Sequence, residues 1–138
     1  ASRRLGKLFE EQLEKVDLLI QNYFQNQQVS MTKDRYFEMC EIMGSEPIES
    51  EIPIELDDMP LILQQAFLVY RMLQDNWEGF NGLYLGKNLN GLEYIFKYTE
   101  IDPSDEKLIL QFIKLIDGIR SSEITKKREQ QKPAITKY

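Results

Sequence analysis

Asp75-Asn76-Trp77-Glu78-Gly79-Phe80-Asn81-Gly82-Leu83-Tyr84-Leu85-Gly86-Lys87-Asn88-Leu89-Asn90-Gly91 is the stretch on which the fold turns, because only here does the sequence do more than build helices. It holds the chain's one tryptophan and, at Gly79, Gly82, Gly86 and Gly91, more than half of its 7 glycines. Gly, Asn and Asp at this density let the backbone take positive φ, while Trp77, Phe80, Tyr84 and Leu85 supply apolar area to pin it. The expectation is an ordered, aromatic-anchored loop between two helices, with Trp77 and Tyr84 laid on the core. Glycine-flanked Lys87 imitates a phosphate loop, but the spacing is wrong for a Walker motif and no Ser or Thr follows the lysine. A loop of this composition also suits a protein-binding knuckle, with Trp77, Phe80, Tyr84 and Lys87 as anchors.

The segments on either side read as helices. Upstream, Asp57 or Asp58 followed by Pro60 is a start signal, and Ile62, Leu63, Ala66, Phe67, Val69, Tyr70 and Leu73 carry an apolar stripe to about Asp75. Apolar around much of its circumference, this helix is expected to be the most buried element. Downstream, Asn88 or Asn90 is a cap for a short helix with Leu92, Ile95 and Phe96 inward. Asp102-Pro103-Ser104-Asp105-Glu106 then starts a longer helix, its acids at the positive end of the dipole. Leu108, Ile109, Phe112, Leu115, Ile116, Ile119 and Ile124 make its face, and Gly118, costly in a helix interior, is read as a close helix contact.

Further out lie two more helices and a change of character. Leu5, Leu8, Phe9, Leu13, Val16, Leu19, Ile20, Tyr23 and Phe24 recur at three- and four-residue spacing, an amphipathic helix from about Arg3 to Gln25 that the Gln/Asn-rich piece Gln21 to Gln28 ends. Thr32 caps a second helix with Asp34 in its first turn and Gly44 as its stop, and Tyr36, Phe37, Met39, Cys40 and Met43 are its buried candidates. From Ser45 to Pro60, Pro47, Pro53 and Pro60 interrupt six acids and exclude a continuous helix or central strand. Glu51-Ile52-Pro53-Ile54-Glu55-Leu56 reads as an extended acidic strap, either a solvated crossover or an edge for a basic partner. The fold class is therefore all-α: about five helices in one compact bundle, with no strand pair. Its expected parts are an N-terminal amphipathic arm (1–30), a helical body (31–125) and a basic flexible tail (126–138).

Composition narrows the function classes. At 138 residues, 42% of them hydrophobic and 29% charged, the chain is that of a soluble globular domain with a core of its own. No apolar run approaches the roughly 20 residues that span a bilayer, and the N-terminus reads as neither signal nor transit peptide, so the expectation is the compartment of synthesis. Histidine is absent and Cys40 is alone, in a setting that suggests a buried thiol. The usual zinc, copper and haem ligand sets and the Ser-His and Cys-His nucleophile pairs cannot be assembled from such a sequence. No calcium-loop pattern is present either, so the expectation is no metal, no cofactor, no small-molecule substrate and no catalytic residues. A carboxylate acid at Glu78 near Asp75 and Trp77 is the one enzymatic alternative.

Charge is uneven. Residues 1–30 balance 4 basic against 4 acidic groups and residues 126–138 carry 5 against 1, so with a net charge of −6 for the chain the remainder holds −10. An acidic body repels phosphate, which disfavours nucleic acid as a partner. A packaging or transcription accessory role, using Arg3, Arg4, Lys7 and the basic tail Lys126-Lys127-Arg128 with Lys132 and Lys137, is the alternative. The amphipathic arm needs cover for Leu5, Phe9, Val16 and Ile20, which its own body, a second copy or a larger assembly would supply.

Met31-Thr32-Lys33-Asp34-Arg35-Tyr36-Phe37-Glu38-Met39-Cys40, Gly44-Ser45-Glu46-Pro47-Ile48 and Gly82-Leu83-Tyr84-Leu85-Gly86-Lys87-Asn88-Leu89 resemble small accessory proteins encoded in tailed-phage genomes, especially contractile-tailed marine and enteric phages. The resemblance covers roughly residues 31–125 and leaves the N-terminal helix outside. It implies a tail-assembly or baseplate-associated factor that binds virion or tail proteins in the host cytoplasm, or in the virion, and does not catalyse. Leu5, Phe9, Val16, Ile20, Trp77, Phe80, Tyr84 and Lys87 are then the expected protein-binding residues.

Overall fold

The computed structural model describes residues 2–131, with side chains described from 11 to 130. The chain is mostly helical, with five α-helices and one small two-stranded sheet among the described residues. Contacts divide it into two compact units, one ending at Gln64 and one beginning at Gln65.

In the first unit, α1 (Ser2–Gln28) ends in a turn where Ser30 takes φ 52 and the Met31 N–H reaches back to the Asn26 carbonyl at 3.1 Å. α2 (Lys33–Met43) follows the local signals closely. Thr32 Oγ1 accepts from the Arg35 N–H at 3.2 Å, and Gly44, at φ 68, lets the Ser45 N–H return to the Cys40 carbonyl at 3.0 Å. These bonds satisfy groups a helix end leaves unpaired. The expected buried face of α2 is wrong in part: Cys40 is buried, but Phe37, Met39 and Met43 are exposed, as is Ile42. Apolar residues placed around most of a helix cannot all face one core, and here only the Tyr36 and Cys40 side turns inward. Tyr36 is half-buried and its hydroxyl accepts from the Ile48 N–H at 3.1 Å.

The Pro-containing acidic segment is not continuously extended. It folds into two 3₁₀ turns, Glu49–Glu51 and Leu56–Asp58, around buried Pro53 and Met59. Asp58 accepts from the Glu55 N–H at 3.0 Å and pairs with Lys33, while Glu55 Oε1 accepts from the Lys33 N–H at 3.3 Å. The acids thus hold the start of α2 as well as facing water.

α3 (Leu61–Met72) is the buried element its sequence promised, with Leu63, Ala66, Phe67, Val69, Tyr70 and then Leu73 buried at helical spacing. α4 (Leu92–Tyr98) turns Phe96 inward, but its N-cap is Gly91, at φ 82, with no side-chain bond. Asn88 instead accepts from the Asn90 N–H at 2.9 Å, so neither asparagine caps the helix. Asp102 does as its sequence indicates, accepting from the Ser104 N–H at 3.0 Å, and the 3₁₀ turn Pro103–Asp105 leads into α5 (Glu106–Gln131). Ile109, Phe112, Ile113 and Ile116 are buried along α5. Each such side chain contributes roughly 1.5–3 kcal/mol of burial. Gly118 marks no close contact: it is exposed and a Cβ there would meet nothing within 4 Å. Lys126, Lys127 and Arg128, placed by sequence in a tail, are helical; Lys132 and Lys137 lie outside the described residues.

The expectation of no strand pair is corrected. β1 (Asp75–Trp77) and β2 (Tyr84–Lys87) form an antiparallel hairpin with Asp75 opposite Lys87, Asn76 opposite Gly86 and Trp77 opposite Tyr84. The register steps one residue on β1 and two on β2, so Leu85 bulges without a partner. Strands this short leave almost no alternating pattern to read, and an isolated hairpin of this size is marginal in water. What holds it comes from α3 and α5.

Candidate functional site

Six side chains from α3, the hairpin and α5 meet in one polar cluster, all within the second unit. Asp75 begins β1, and Arg120 of α5 grips it with two bonds, Nη1 to Oδ1 at 2.7 Å and Nη2 to Oδ2 at 3.0 Å. Lys87 on β2 adds a third, Nζ to Oδ1 at 2.9 Å, and donates again to the Leu73 carbonyl at 2.8 Å. The ammonium also sits 4.6 Å from the centre of the Tyr70 ring. On the other side, Asp117 Oδ1 accepts from the hydroxyls of Tyr84 at 2.7 Å and Tyr70 at 2.9 Å, and its Oδ2 accepts from the Lys87 backbone N–H at 3.0 Å.

Proton counting shows how closely this network is filled. Each tyrosine has one hydroxyl proton, and both go to Asp117, so the 3.4 Å separation of Tyr84 Oη from Asp75 is contact and not a second donation. Arg120 Nη1 has two hydrogens for three acceptors, Asp75 Oδ1 at 2.7 Å and the two phenolic oxygens at 3.2 Å each, so at least one of its hydrogens is shared between them. Two carboxylates face one ammonium and one guanidinium, a formal balance of zero, and no buried side-chain nitrogen or oxygen among the described residues lacks a partner.

The electrostatics follow from these contacts. The Arg120 guanidinium, with Lys87 behind it, holds the Asp75 carboxyl well below the usual carboxylate range. Burial, reinforced by Tyr70 and Asp117, pushes the Tyr84 phenol far above its ordinary value; burial likewise raises Tyr70. Asp75 in turn raises Arg120. These shifts move the groups away from neutrality, the reverse of what general acid–base chemistry needs. The arrangement can lock the hairpin to α3 and α5. Among the described residues, no three His, Cys, Asp or Glu side chains are grouped to hold a metal ion.

Beyond the lock, the hairpin carries a tip that is ordered by its own bonds. Glu78 accepts from the Phe80 N–H at 2.9 Å and the Asn81 N–H at 2.6 Å with its carboxylate, and from the Gly82 N–H at 2.9 Å with its carbonyl. Its own N–H closes the turn on the Leu83 carbonyl at 2.8 Å. Phe80, 93% exposed, stands on this turn, and Trp77, 48% exposed, leans on Tyr84 with ring centres 4.9 Å apart. A cleft of about 380 Å³ runs beside the tip, between Leu83 and Tyr84 on the hairpin and Ile124, Thr125 and Arg128 on α5. Arg128 braces it by donating to the Asn81 carbonyl at 2.6 Å, and Lys126 lies 3.9 Å from Glu123, so the basic end of α5 is partly committed within the chain.

The expected protein-binding residues scatter across different roles. Trp77 and Phe80 are presented to solvent together on the hairpin. Tyr84 and Lys87 face inward as part of the lock, the Lys87 side chain only 8% exposed. Val16 is half-buried and Ile20 fully buried; Leu5 and Phe9 belong to α1, but their side chains lie outside the described residues. Asp117 and Arg120 were missed by sequence reasoning, and Asp75, read there only as a neighbour of Glu78, proves to be the ion-pair partner of Arg120 in the lock. The signal was slight: an Asp and an Arg three apart on a helix face otherwise built of isoleucine and leucine. Comparison with protein-family models, with curated proteins and with solved structures found no match.

Proposed function

We propose that the chain is a non-enzymatic protein-contact factor whose recognition element is the hairpin tip, with Phe80 and Trp77 as anchors. The observation that carries this reading is Phe80, almost wholly exposed on a turn whose backbone N–H groups are already bonded to Glu78. An aromatic held ready on an ordered turn costs little further conformational entropy when a partner covers it. Aromatic side chains are enriched at interface centres, and Leu83 and Leu85 extend the apolar surface around this one. Tyr84 and Lys87 serve the reading indirectly, by fixing the hairpin.

The partner class rests on the resemblance of residues 31–40, 44–48 and 82–89 to tailed-phage accessory proteins. On that ground we assign the chain to virion or tail assembly in the host cytoplasm, as a structural piece or an assembly chaperone. Among the described residues no helix is long and apolar enough to cross a membrane. Co-purification of the whole chain with phage tail components tests the assignment. Phe80→Ala and Trp77→Ala are each expected to lower recovery of the partner at least tenfold while the fold is retained. Undiminished recovery with both variants overturns the assignment of this surface.

A further inference from the structure

We infer that the hairpin patch is self-complementary, so that two copies of this chain pair by exchanging Phe80, each ring entering the cleft beside the other copy's hairpin. Knob and hole lie side by side on the same surface. Phe80 projects from the tip with almost its whole side chain in water, and the cleft lined by Leu83, Tyr84, Ile124 and Thr125 opens next to it. A surface that carries both halves of a contact satisfies itself under a two-fold rotation, the commonest arrangement of homodimers.

Size agrees with that occupant. At about 380 Å³ the cleft has room for a phenyl ring, and its walls offer the Leu83 and Ile124 side chains beside the Tyr84 ring. The net charge of −6 opposes self-association, and at the contact itself Glu78 and Glu129 outnumber Arg128, so shape and apolar area drive the pairing while charge keeps it weak. An aromatic side chain buries about 150–250 Å², so two rings with their walls and the flanking Leu83 come close to the roughly 1,000 Å² at which specific interfaces begin. The dimer is therefore weak and reversible. It goes beyond the contact with other proteins proposed above and does not depend on it.

Sedimentation of the whole chain across about 1 μM to 1 mM is the test, with the expected result a rise from the monomer mass to twice that mass. Phe80→Ser removes the knob and Thr125→Phe fills the hole with the same phenyl group; both sit at exposed positions, and Trp77 fluorescence reports whether the hairpin stays folded. Each variant alone is expected to stay at the monomer mass over the whole range. A wild-type chain that stays monomeric, or either variant pairing like the wild type, overturns the inference. If a monomeric chain still loses a foreign partner on Phe80→Ala, the proposed function stands without the dimer.

Discussion

The Asp117 carboxylate occupies the space that a side chain on residue 86 would need: a Cβ built on Gly86 lies 2.9 Å from Asp117 Oδ2. Gly86 also sits at φ 99, a conformation other residues adopt at a cost. One position in the hairpin is thus dictated twice, by its own backbone and by a carboxylate on a helix some thirty residues further along the chain.

Gly86→Ala is expected to lower unfolding stability by about 2–4 kcal/mol, through the strained φ and the displaced carboxylate together. Urea denaturation followed by Trp77 fluorescence measures it. A loss under about 0.5 kcal/mol would show that the bulge relaxes freely.

Asp117→Ala should cost about 2–4 kcal/mol as well, because it strips the acceptor from two tyrosine hydroxyls and the Lys87 N–H. The two substitutions are not independent. In the double variant the carboxylate no longer blocks the alanine methyl, so the combined loss is expected to fall short of the sum by at least about 1 kcal/mol. Strict additivity would mean that the close approach carries no energy.

Acid should weaken the fold through Asp75. Its folded pKa is depressed by Arg120 and Lys87, so as pH falls below about 4 the unfolded chain takes up a proton that the folded chain refuses, and stability drops. The contribution is fully present above about pH 5. Asp75→Asn removes it, and the melting temperature of that variant is expected to start lower at pH 7 and fall less between pH 5 and pH 2. Parallel pH profiles for the two proteins would contradict the ion-pair account.

Glu100 ends α4 in the left-handed region, at φ 56, with the Ile101 N–H bonded to the Phe96 carbonyl at 3.0 Å. Glycine is the usual residue at that place. Since Glu100 is exposed, Glu100→Gly is expected to stabilise the chain by about 0.5–1 kcal/mol, a rise in melting temperature of a few degrees. A fall in melting temperature would place the strain elsewhere.

Phe80→Ala, in contrast, should leave stability within about 0.5 kcal/mol of the wild type, since a side chain 93% exposed has little burial to lose. Chemical denaturation checks this directly. A larger loss would make Phe80 a structural residue and remove it from the contact surface.

Helix positions and several helix ends were legible in the residues themselves. Thr32, Gly44 and Asp102-Pro103 mark boundaries with bonds that reach only a few residues, and the stripe from Leu63 to Leu73 repeats at a spacing that fixes the buried side of α3. α2 shows the limit of that logic. Its apolar residues surround the helix, and which of them reach a core depends on what packs there, so Phe37 and Met43 stayed outside.

The sequence by itself determined that helices dominate, where several of them begin and end, and that the segment Asp75 to Gly91 is different in kind; these follow from periodicity, capping and glycine content, all short-range properties. Only the tertiary structure decided that this segment is a hairpin, and that Tyr84 and Lys87 belong to a lock while Trp77 and Phe80 face water. The reason is distance along the chain: Arg120 and Asp117, which fix the strands, lie 45 residues from Asp75 and 33 from Tyr84, and contacts that far apart leave no periodic trace.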